Sequence, residues 1–255
     1  MTSPLLNKTL LGKKAWITGA SSGIGEATAR RLAAAGMNLV LSARRVDRLE
    51  ALATELKATG VEVVLEPVDV SDRAAMAAVG ERLAAQGGVD LLVNNAGTMP
   101  ISPILSGRVD EWEQMIDVNI KGVLYAIHAV YSGMVERKQG HIVNISSVAA
   151  RITFQSAGVY AGTKHAVRAI SDTLRKEAIR YGVRVTDIQP GSVATELPDS
   201  IKHDKIRNAV KDNLYADPSL LLQPEDIAEA IFYAVSQPAH VDVSELLIRP
   251  QSMED

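Results

Sequence analysis

Several residue classes are missing or scarce in this sequence, and each absence narrows what the protein can be. Cysteine is absent from the 255 residues, which excludes a disulfide scaffold, thiolate catalysis and cysteine-ligated metal or iron–sulfur sites. The absence also fits a reducing compartment, so we expect a cytoplasmic protein. The five histidines show no metal-ligand spacing such as HExxH, and we expect no bound metal.

Charge and apolar runs are equally limited. The formal net charge is −3, which argues against general affinity for nucleic acid or for anionic membranes. No apolar run approaches the length that spans a bilayer, and Met1–Gly12 carries only a brief Leu5-Leu6 pair. We therefore expect neither a membrane span nor a secretory signal. Aromatic residues make up 4% of the chain, and Trp16 and Trp112 are expected to be packing residues.

Short apolar runs alternate along the chain with longer stretches of helical periodicity. Seven strands are predicted, at Lys14–Thr18, Asn38–Ala43, Val61–Val68, Val89–Val93, His141–Ile145, Val183–Ile188 and Val243–Ile248. Helices are predicted between them, at Ile24–Ala35, Asp47–Ala58, Asp72–Ala85, Asp110–Glu136, Val159–Arg180 and Pro224–Ser236. Continuous β-branched strands are typical of sheets buried on both faces, and their alternation with helices predicts a parallel sheet with right-handed crossovers.

No linker or internal repeat divides the chain, so we expect one α/β domain. Its predicted fold is a doubly wound, Rossmann-type, seven-stranded parallel sheet with helices on both faces. Ligands of such sheets bind beyond the carboxyl ends of the strands, at the topological switch point. Functional residues are therefore expected directly after the strands.

The turn after the first strand has the composition of a phosphate-binding loop. The segment Thr18–Gly25 reads TGASSGIG and lies between a predicted strand and a predicted helix. Its glycines let the backbone approach a pyrophosphate, and the helix N-terminus offers N–H groups and a positive dipole end. The spacing is GxxxGxG rather than GxGxxG, and a purely structural glycine-rich turn is the alternative interpretation.

Further motifs follow in order over nearly the whole chain. They are Asp69-Val70, Asn94-Asn95-Ala96-Gly97, Asn119, Ser147, Tyr160, Lys164 and Pro190-Gly191. Together with the glycine turn, this series resembles the short-chain dehydrogenase/reductase family. The resemblance implies a catalytic tetrad of Asn119, Ser147, Tyr160 and Lys164. It implies a dinucleotide site formed by Gly19, Ser21, Ser22, Gly23, Ile24, Gly25, Arg44, Arg45, Asp69, Val70, Asn95, Ala96, Gly97, Tyr160, Lys164, Pro190, Gly191, Val193 and Thr195.

The chemistry of Tyr160 and Lys164 also follows from their spacing. They lie four residues apart in a predicted helix, so their side chains share one face. A nearby ammonium favours the tyrosinate, and we expect it to lower the pKa of Tyr160 from its ordinary value of about 10. The tyrosine can then give a proton to a carbonyl oxygen or take one from an alcohol.

The other two members of the tetrad are assigned differently. Family spacing relative to Tyr160 selects Ser147, rather than Ser146, as the second hydrogen-bonding group. Asn119 lies within a helical pattern, where a buried amide needs partners. The resemblance gives its backbone carbonyl the role of holding a water that connects Lys164 to solvent.

The end of the second strand bears on the choice of cofactor. NAD sites place an acidic residue there to accept a hydrogen bond from the ribose 2′-OH. This chain has Arg44 and Arg45 instead, with no carboxylate before Asp47. Arg44, assisted by Arg45, is predicted to meet the 2′-phosphate of NADP(H); the alternative is that both arginines are solvated surface charges. Some NADP-preferring relatives carry a basic residue at the position of Ser22, and this chain does not.

The substrate pocket is less readable. Segments 98–105, 148–156 and 192–222 are expected to line it, and 195–222 is expected to form a mobile helical lid. The expected apolar lining residues are Met99, Ile101, Ile104, Val148, Ile152, Phe154, Val193 and Leu197. Arg151 is a candidate partner for a substrate carboxylate, with exposure to solvent as the equal alternative.

The resemblance implies an enzyme that transfers hydride between NADP(H) and a carbonyl or alcohol substrate, a small molecule. Stretches such as 117–122 and 195–198 are similar to a subgroup of NADP-dependent 3-hydroxy-acid dehydrogenases and aldehyde reductases. A non-catalytic, dinucleotide-sensing protein is the alternative, but such relatives usually lose the tyrosine or the lysine. The family also implies a homo-oligomer, a tetramer or a dimer.

Overall fold

The computed structural model describes residues 10–252. Seven parallel strands form one sheet in the order β3-β2-β1-β4-β5-β6-β7. They are β1 (Lys14–Thr18), β2 (Asn38–Ser42), β3 (Val63–Leu65), β4 (Leu91–Asn94), β5 (Gly140–Ile145), β6 (Val183–Pro190) and β7 (Glu245–Ile248). The predicted doubly wound, Rossmann-type fold is confirmed, and its switch point lies between β1 and β4.

Helices cover both faces of the sheet. They are α1 (Gly23–Ala34), α2 (Val46–Lys57), α3 (Arg73–Ala85), α4 (Val109–Ile116), α5 (Gly122–Arg137), α6 (Gly158–Ala178), α7 (Asp204–Leu214) and α8 (Pro224–Ser236). One apolar core joins the sheet to α1, α2 and α8, and a second joins it to α3, α5 and α6. Burial of these apolar faces is the main favourable contribution to folding.

Trp16 is a packing residue, as expected. It is completely buried on β1, and its indole N–H donates to the hydroxyl of Ser42 on β2 at 2.8 Å. Trp112 packs against a third apolar cluster that contains Tyr160 and Ile201.

The third strand is shorter than the predicted 61–68. The amides of Glu66 and Val68 still donate to carbonyls of the chain at and after β2. Between them, Pro67 faces the open edge of the sheet, where a residue without an N–H removes no bond to β2. The regular strand ends at Leu65.

The predicted helix at 110–136 is also interrupted. A π-helical turn at Asp117–Lys121 separates α4 from α5, and the Gly122 amide donates to the carbonyl of Asp117. Such single turns are rare in helices and frequently occur at functional sites. This turn brings Asn119 into the region beside the switch point.

Within residues 10–252, no helix is long and apolar enough to cross a bilayer. The same part of the chain contains no cluster of three or more histidine, aspartate or glutamate side chains arranged to hold a metal ion.

Candidate active site

A cleft of about 370 Å³ opens at the carboxyl ends of the strands around the switch point. Parallel strands all present these ends at one edge of the sheet, which is why turns far apart in sequence meet there. The cleft is lined by every residue predicted for the dinucleotide site and the tetrad except Gly25 and Asn119. Residues of the lining that the sequence analysis did not single out include Gln114, Val118, Glu196, Ser200 and Tyr215.

The glycine turn is shaped by close backbone contacts. Gly19 has φ +66° and Gly23 has φ +55°, a left-handed region that favours glycine. A Cβ atom on Gly25 would lie 2.4 Å from the carbonyl oxygen of Gly19, so no side chain fits there. Gly25 thus allows the turn to pack closely against the start of α1. The N-terminus of α1, the positive end of the helix dipole, faces the cleft.

The two arginines after β2 have different surroundings. The Arg45 guanidinium donates from Nε to Ser21 Oγ at 3.1 Å and from Nη2 to Ser22 Oγ at 2.6 Å. The Arg44 side chain is 68% exposed, and its nearest carboxylate oxygen, on Asp69, is 3.8 Å away. Arg45 is therefore held against the glycine turn, while Arg44 forms a long, exposed ion pair with Asp69 at the opening of the cleft.

Tyr160 and Lys164 project from the first turns of α6 into the opposite end of the cleft. Tyr160 is 5% exposed and Lys164 is 7% exposed. The Lys164 Nζ atom lies 5.8 Å from the centre of the Tyr160 ring and donates to the Ile145 carbonyl at 2.9 Å. Helical spacing places both side chains on one face, as predicted.

Burial governs the protonation of both groups. Burial raises the pKa of Tyr160 to about 12, because its effect exceeds the opposite effect of Ser147. It lowers the pKa of Lys164 to about 8, against the opposing effect of the Asp187 carboxylate. The expected fall in the tyrosine pKa was wrong for the chain by itself, because desolvation disfavours the tyrosinate and the ammonium alike.

Ser147 lies directly after β5. Its hydroxyl accepts from the Ala149 amide at 3.1 Å and approaches the Pro190 carbonyl at 3.4 Å. Ser146 also lines the cleft, but its hydroxyl is directed to β6, where it lies 3.4 Å from the Ile188 carbonyl. The two serines therefore face different partners, and Ser147 is the one that lowers the pKa of Tyr160.

Asn119 is buried behind the cleft, on the π-helical turn. Its side-chain oxygen accepts from the Thr98 amide at 2.9 Å, and its side-chain nitrogen donates to the Thr98 carbonyl at 3.0 Å and to Thr163 Oγ1 at 3.1 Å. This amide ties the loop after β4 to α6. Its predicted water-holding carbonyl stays a prediction.

Several predicted pocket residues lie elsewhere. Of the eight apolar candidates, Val193 and Leu197 line the cleft. Met99 and Ile101 are buried in the cluster behind Tyr160, and Ile104 and Phe154 are exposed. Side-chain burial depends on the path of each loop, which apolar character alone does not reveal. Val148 and Ile152 are not among the residues lining the cleft.

Arg151 is exposed, which was one of the two alternatives considered for it, but it is not free. Its guanidinium donates to Gln189 on β6 and to Glu245 on β7. Because carboxylate and amide groups of the chain itself engage this side chain, it is a structural link between strands. Nothing in the sequence around Arg151 indicated Glu245 as its partner.

The segment predicted as a lid is helical, as expected. It contains short 3₁₀ turns at Leu197–Ser200 and Pro218–Leu220 on either side of α7. A parallel bridge between Val193 and Leu222 closes its base, with the Ala194 amide donating to the Leu222 carbonyl at 2.8 Å. The segment is therefore an excursion whose two ends meet beside the cleft. Its mobility stays a prediction.

Comparison with known proteins agrees with this arrangement. The family model described as short chain dehydrogenase matches residues 13–206. The chain belongs to the short-chain dehydrogenase/reductase family. Members of this family are oxidoreductases. An uncharacterized oxidoreductase of Staphylococcus saprophyticus is 44% identical to this chain over 238 residues, which cover 92% of this chain and 95% of that protein.

Solved structures of the family have the same fold. An alcohol dehydrogenase from the archaeon Thermococcus sibiricus, in complex with 5-hydroxy-NADP, is 33% identical with a TM-score of 0.84, over 95% of this chain and 98% of that one. The closed form of a serine dehydrogenase in complex with NADP+ is 37% identical with a TM-score of 0.82, over 92% and 94% of the two chains. Other solved members occur as complexes with NADP and with NAD.

Proposed function

We propose that this protein is an NADP(H)-dependent oxidoreductase that interconverts a carbonyl compound and an alcohol, with Tyr160 as the general acid and base. The observation that carries this proposal is the pairing of a phosphate-binding turn with a buried tyrosine and lysine in one cleft. Each feature by itself is compatible with a structural role. Their convergence at the switch point of a doubly wound sheet favours a redox site for a dinucleotide.

The residues of the cleft fit a dinucleotide along its whole length. The close approach at Gly25 and Gly19 leaves bare backbone at the N-terminus of α1, which suits a pyrophosphate. At one end, Asp69 and Val70 would hold the adenine, and Arg44 and Arg45 would hold a 2′-phosphate by charge-assisted hydrogen bonds. The middle and the nicotinamide end would be bound by Asn95, Ala96, Gly97, Lys164, Pro190, Gly191, Val193 and Thr195.

The absence of an acidic side chain at the end of β2 supports NADP(H) over NAD(H). NAD sites use a carboxylate there, and the same carboxylate would repel a 2′-phosphate. In this chain the cleft contains Ala43, Arg44 and Arg45 at that point. The similarity to two proteins crystallised with NADP-type cofactors supports the same choice.

A bound nicotinamide would supply the hydride for reduction or accept it in oxidation. The side chains of the protein would supply or remove the proton. A tyrosine whose pKa is about 12 is protonated at neutral pH, so it can donate to the oxygen of a carbonyl being reduced. Ser147 would hydrogen-bond the same oxygen and hold it beside the tyrosine hydroxyl.

Lys164 would assist in two ways. Its ammonium favours the tyrosinate that forms after proton transfer, and it would donate to a ribose hydroxyl of the cofactor. In the chain alone, Nζ donates to the Ile145 carbonyl, so one donor is already oriented and two of its three N–H groups remain for these partners.

The lining of the catalytic end favours a substrate that carries both apolar and polar groups. Leu197 and Val193 supply apolar surface, and Ser200 and Tyr215 supply hydrogen-bonding groups. The resemblance to a serine dehydrogenase supports the subgroup that acts on 3-hydroxy acids and small aldehydes. Recognition of a carboxylate by Arg151 is not part of this proposal, because that side chain is engaged by Glu245.

The test is a spectrophotometric assay at 340 nm with NADPH or NADH and a panel of aldehydes, ketones and 3-oxo acids. The reverse reaction is followed with the corresponding alcohols and 3-hydroxy acids. Activity with NADPH on any member of the panel would support the proposed class. Binding of NADPH without turnover on every member would favour the dinucleotide-sensing alternative.

We also propose that the protein is cytoplasmic and that it assembles as a homodimer or homotetramer. The cysteine-free composition supports the first proposal. Family membership supports the second. Light scattering of the purified chain would measure its mass in solution, and a monomer over the whole concentration range would contradict the proposed assembly.

A further inference from the structure

One glutamate of the lid reaches across the opening of the cleft. Glu196 follows Thr195 at the start of the lid, and its Oε2 accepts from Arg45 Nη1 at 2.6 Å. Arg45 simultaneously donates to the hydroxyls of Ser21 and Ser22 on the glycine turn. One guanidinium thus joins the glycine turn to the lid, across the place proposed for the 2′-phosphate.

A second arginine holds the same carboxylate. Arg48, in the first turn of α2, donates from Nη1 to Glu196 Oε1 at 2.7 Å. The other charged groups acting on Arg48 are the carboxylates of Asp47 and Glu26. The two arginines hold the pKa of Glu196 at about 2, so this side chain is a full anion at every pH at which the protein would work.

The backbone around Glu196 is held in place by packing, which fixes the ion pair between Glu196 and Arg45. A Cβ atom added to Gly23 would lie 3.0 Å from Thr195 Cγ2, so the start of the lid is already packed on the glycine turn. The bridge between Val193 and Leu222 anchors the chain just before it. The position of the backbone therefore brings Glu196 close to Arg45, and the contact does not depend on the side-chain conformation alone.

We propose that Glu196 is a cofactor-specificity residue: its carboxylate occupies Arg45 in the free protein, and the 2′-phosphate of NADP(H) must displace it. A carboxylate and a phosphate dianion repel each other when both lie within hydrogen-bond distance of one guanidinium. NAD(H) carries no such phosphate and leaves the ion pair intact. Glu196 thus reduces the preference for NADP(H) that Arg44 and Arg45 create. This inference rests on the proposed function.

Direct binding measurements separate this effect from catalysis. The probes are NADPH and NADH, together with adenosine 2′,5′-bisphosphate and 5′-AMP, which differ by the 2′-phosphate alone. In Glu196→Gln, we expect the two probes with a 2′-phosphate to bind about two- to fivefold more tightly, the range of an exposed ion pair. NADH and 5′-AMP should bind as to the wild type.

Two controls make the measurement specific. Asp199→Asn removes a carboxylate from the same segment, but one that pairs with Lys211 at 2.7 Å, and it should change none of the four affinities. In an Arg45→Gln background, Glu196→Gln should no longer favour the 2′-phosphate, because the shared partner is gone. Circular dichroism of each variant checks that it is folded.

Unchanged or weaker binding of NADPH and adenosine 2′,5′-bisphosphate to Glu196→Gln would overturn the inference. So would an equal gain for NADH and 5′-AMP, since that would mean a general opening of the cleft. The proposed cofactor choice fails on a different result, namely wild-type protein that binds NADH at least as tightly as NADPH. The two failures are therefore distinguishable.

Discussion

The two ends of the cleft differ in how far their functional side chains are exposed to water. At the inner end, the catalytic floor (Ser147, Tyr160 and Lys164) is buried. At the opening, the charged mouth (Arg44, Arg45, Arg48 and Glu196) consists of side chains that are each at least 42% exposed. Electrostatic effects are strong in the floor, because burial removes water, and weak in the mouth, where water screens each charge.

This difference separates reactivity from selectivity. In the floor, burial moves the pKa of Tyr160 up to about 12 and that of Lys164 down to about 8. In the mouth, ion pairs can exchange partners at little cost, which suits a surface that must admit and release a charged ligand. Substitutions in the floor should therefore change rates and pH dependence, while those in the mouth should change the choice of ligand.

The largest expected effect is that of Tyr160→Phe. The variant keeps the ring and its packing but removes the proton donor, so turnover should fall about 10²–10⁴-fold, the usual contribution of a positioned acid–base group. Affinity for NADPH should change little, as measured by fluorescence titration. Tyr181→Phe, which lies beyond the cleft on the turn after α6, is the matched control. Retention of most turnover by Tyr160→Phe would contradict its assigned role.

The next largest effect is a change of cofactor preference on substitution at the charged mouth. Replacing Ala43 by Asp and Arg44 by Gln adds a carboxylate at the end of β2 and removes a cation. Preference should shift from NADPH toward NADH by about ten- to hundredfold, since a charge-assisted hydrogen bond contributes about 1.5–3 kcal/mol. The ratio of kcat/KM for the two cofactors measures the shift. An unchanged ratio would mean that Arg44 is surface charge, with selectivity residing in Arg45.

Lys164→Met tests the coupling within the floor. Turnover and cofactor affinity should both fall, turnover by about tenfold for every pKa unit by which the ammonium favours the tyrosinate. In the oxidative direction, the residual activity should require higher pH, because the tyrosinate loses the ammonium that favours it. The pH–rate profile of wild type and variant decides this. Profiles that coincide would mean that Lys164 does not tune Tyr160.

The same variant should alter the pH dependence of stability. The Lys164 pKa is lowered from 10.5 to about 8, so between these values the unfolded chain binds more protons than the folded one. Wild-type stability should therefore rise relative to Lys164→Met as pH increases through this window, by about 3 kcal/mol near its upper end. Below it the difference is constant. Urea unfolding at both ends measures this, and parallel curves throughout would contradict the buried charge.

The smallest effect concerns the stability of the mouth. Arg48→Gln removes an exposed pair with Glu196, and the free energy of unfolding should hardly change, because water screens this pair. Thermal melts of this variant beside wild type measure the change. A loss of several kcal/mol would mean that the mouth is a structural element, and the contrast with the floor would then fail.

Most of the fold was predictable from the sequence, since the strands are short β-branched runs and the helices between them have clear periodicity. There are two exceptions. The regular part of β3 ends at Leu65, although the amides of Glu66 and Val68 still donate toward β2. The π-helical turn at Asp117–Lys121 occurs within an unbroken helical pattern, so apolar spacing did not indicate it.

The candidate site was predictable to the extent that it consists of motifs at strand ends. The glycine turn, the tyrosine–lysine pair and the two arginines come together in one cleft. Partners distant in sequence were not predictable: Glu245 engages Arg151, and Glu196 engages Arg45. Such pairs depend on which loops meet, and opposite charges on exposed segments are too numerous for composition to select one.

The sequence by itself determined the order of strands and helices, the turn residues with their backbone requirements, and the identity of the groups able to move a proton or bind a phosphate. These properties are local, because each depends on a residue and its near neighbours along the chain. The tertiary structure decided how deeply Tyr160 and Lys164 are buried, and hence the direction of their pKa shifts. It also decided which charges share the mouth of the cleft, because solvation and ion pairing depend on all the atoms that surround a group in space.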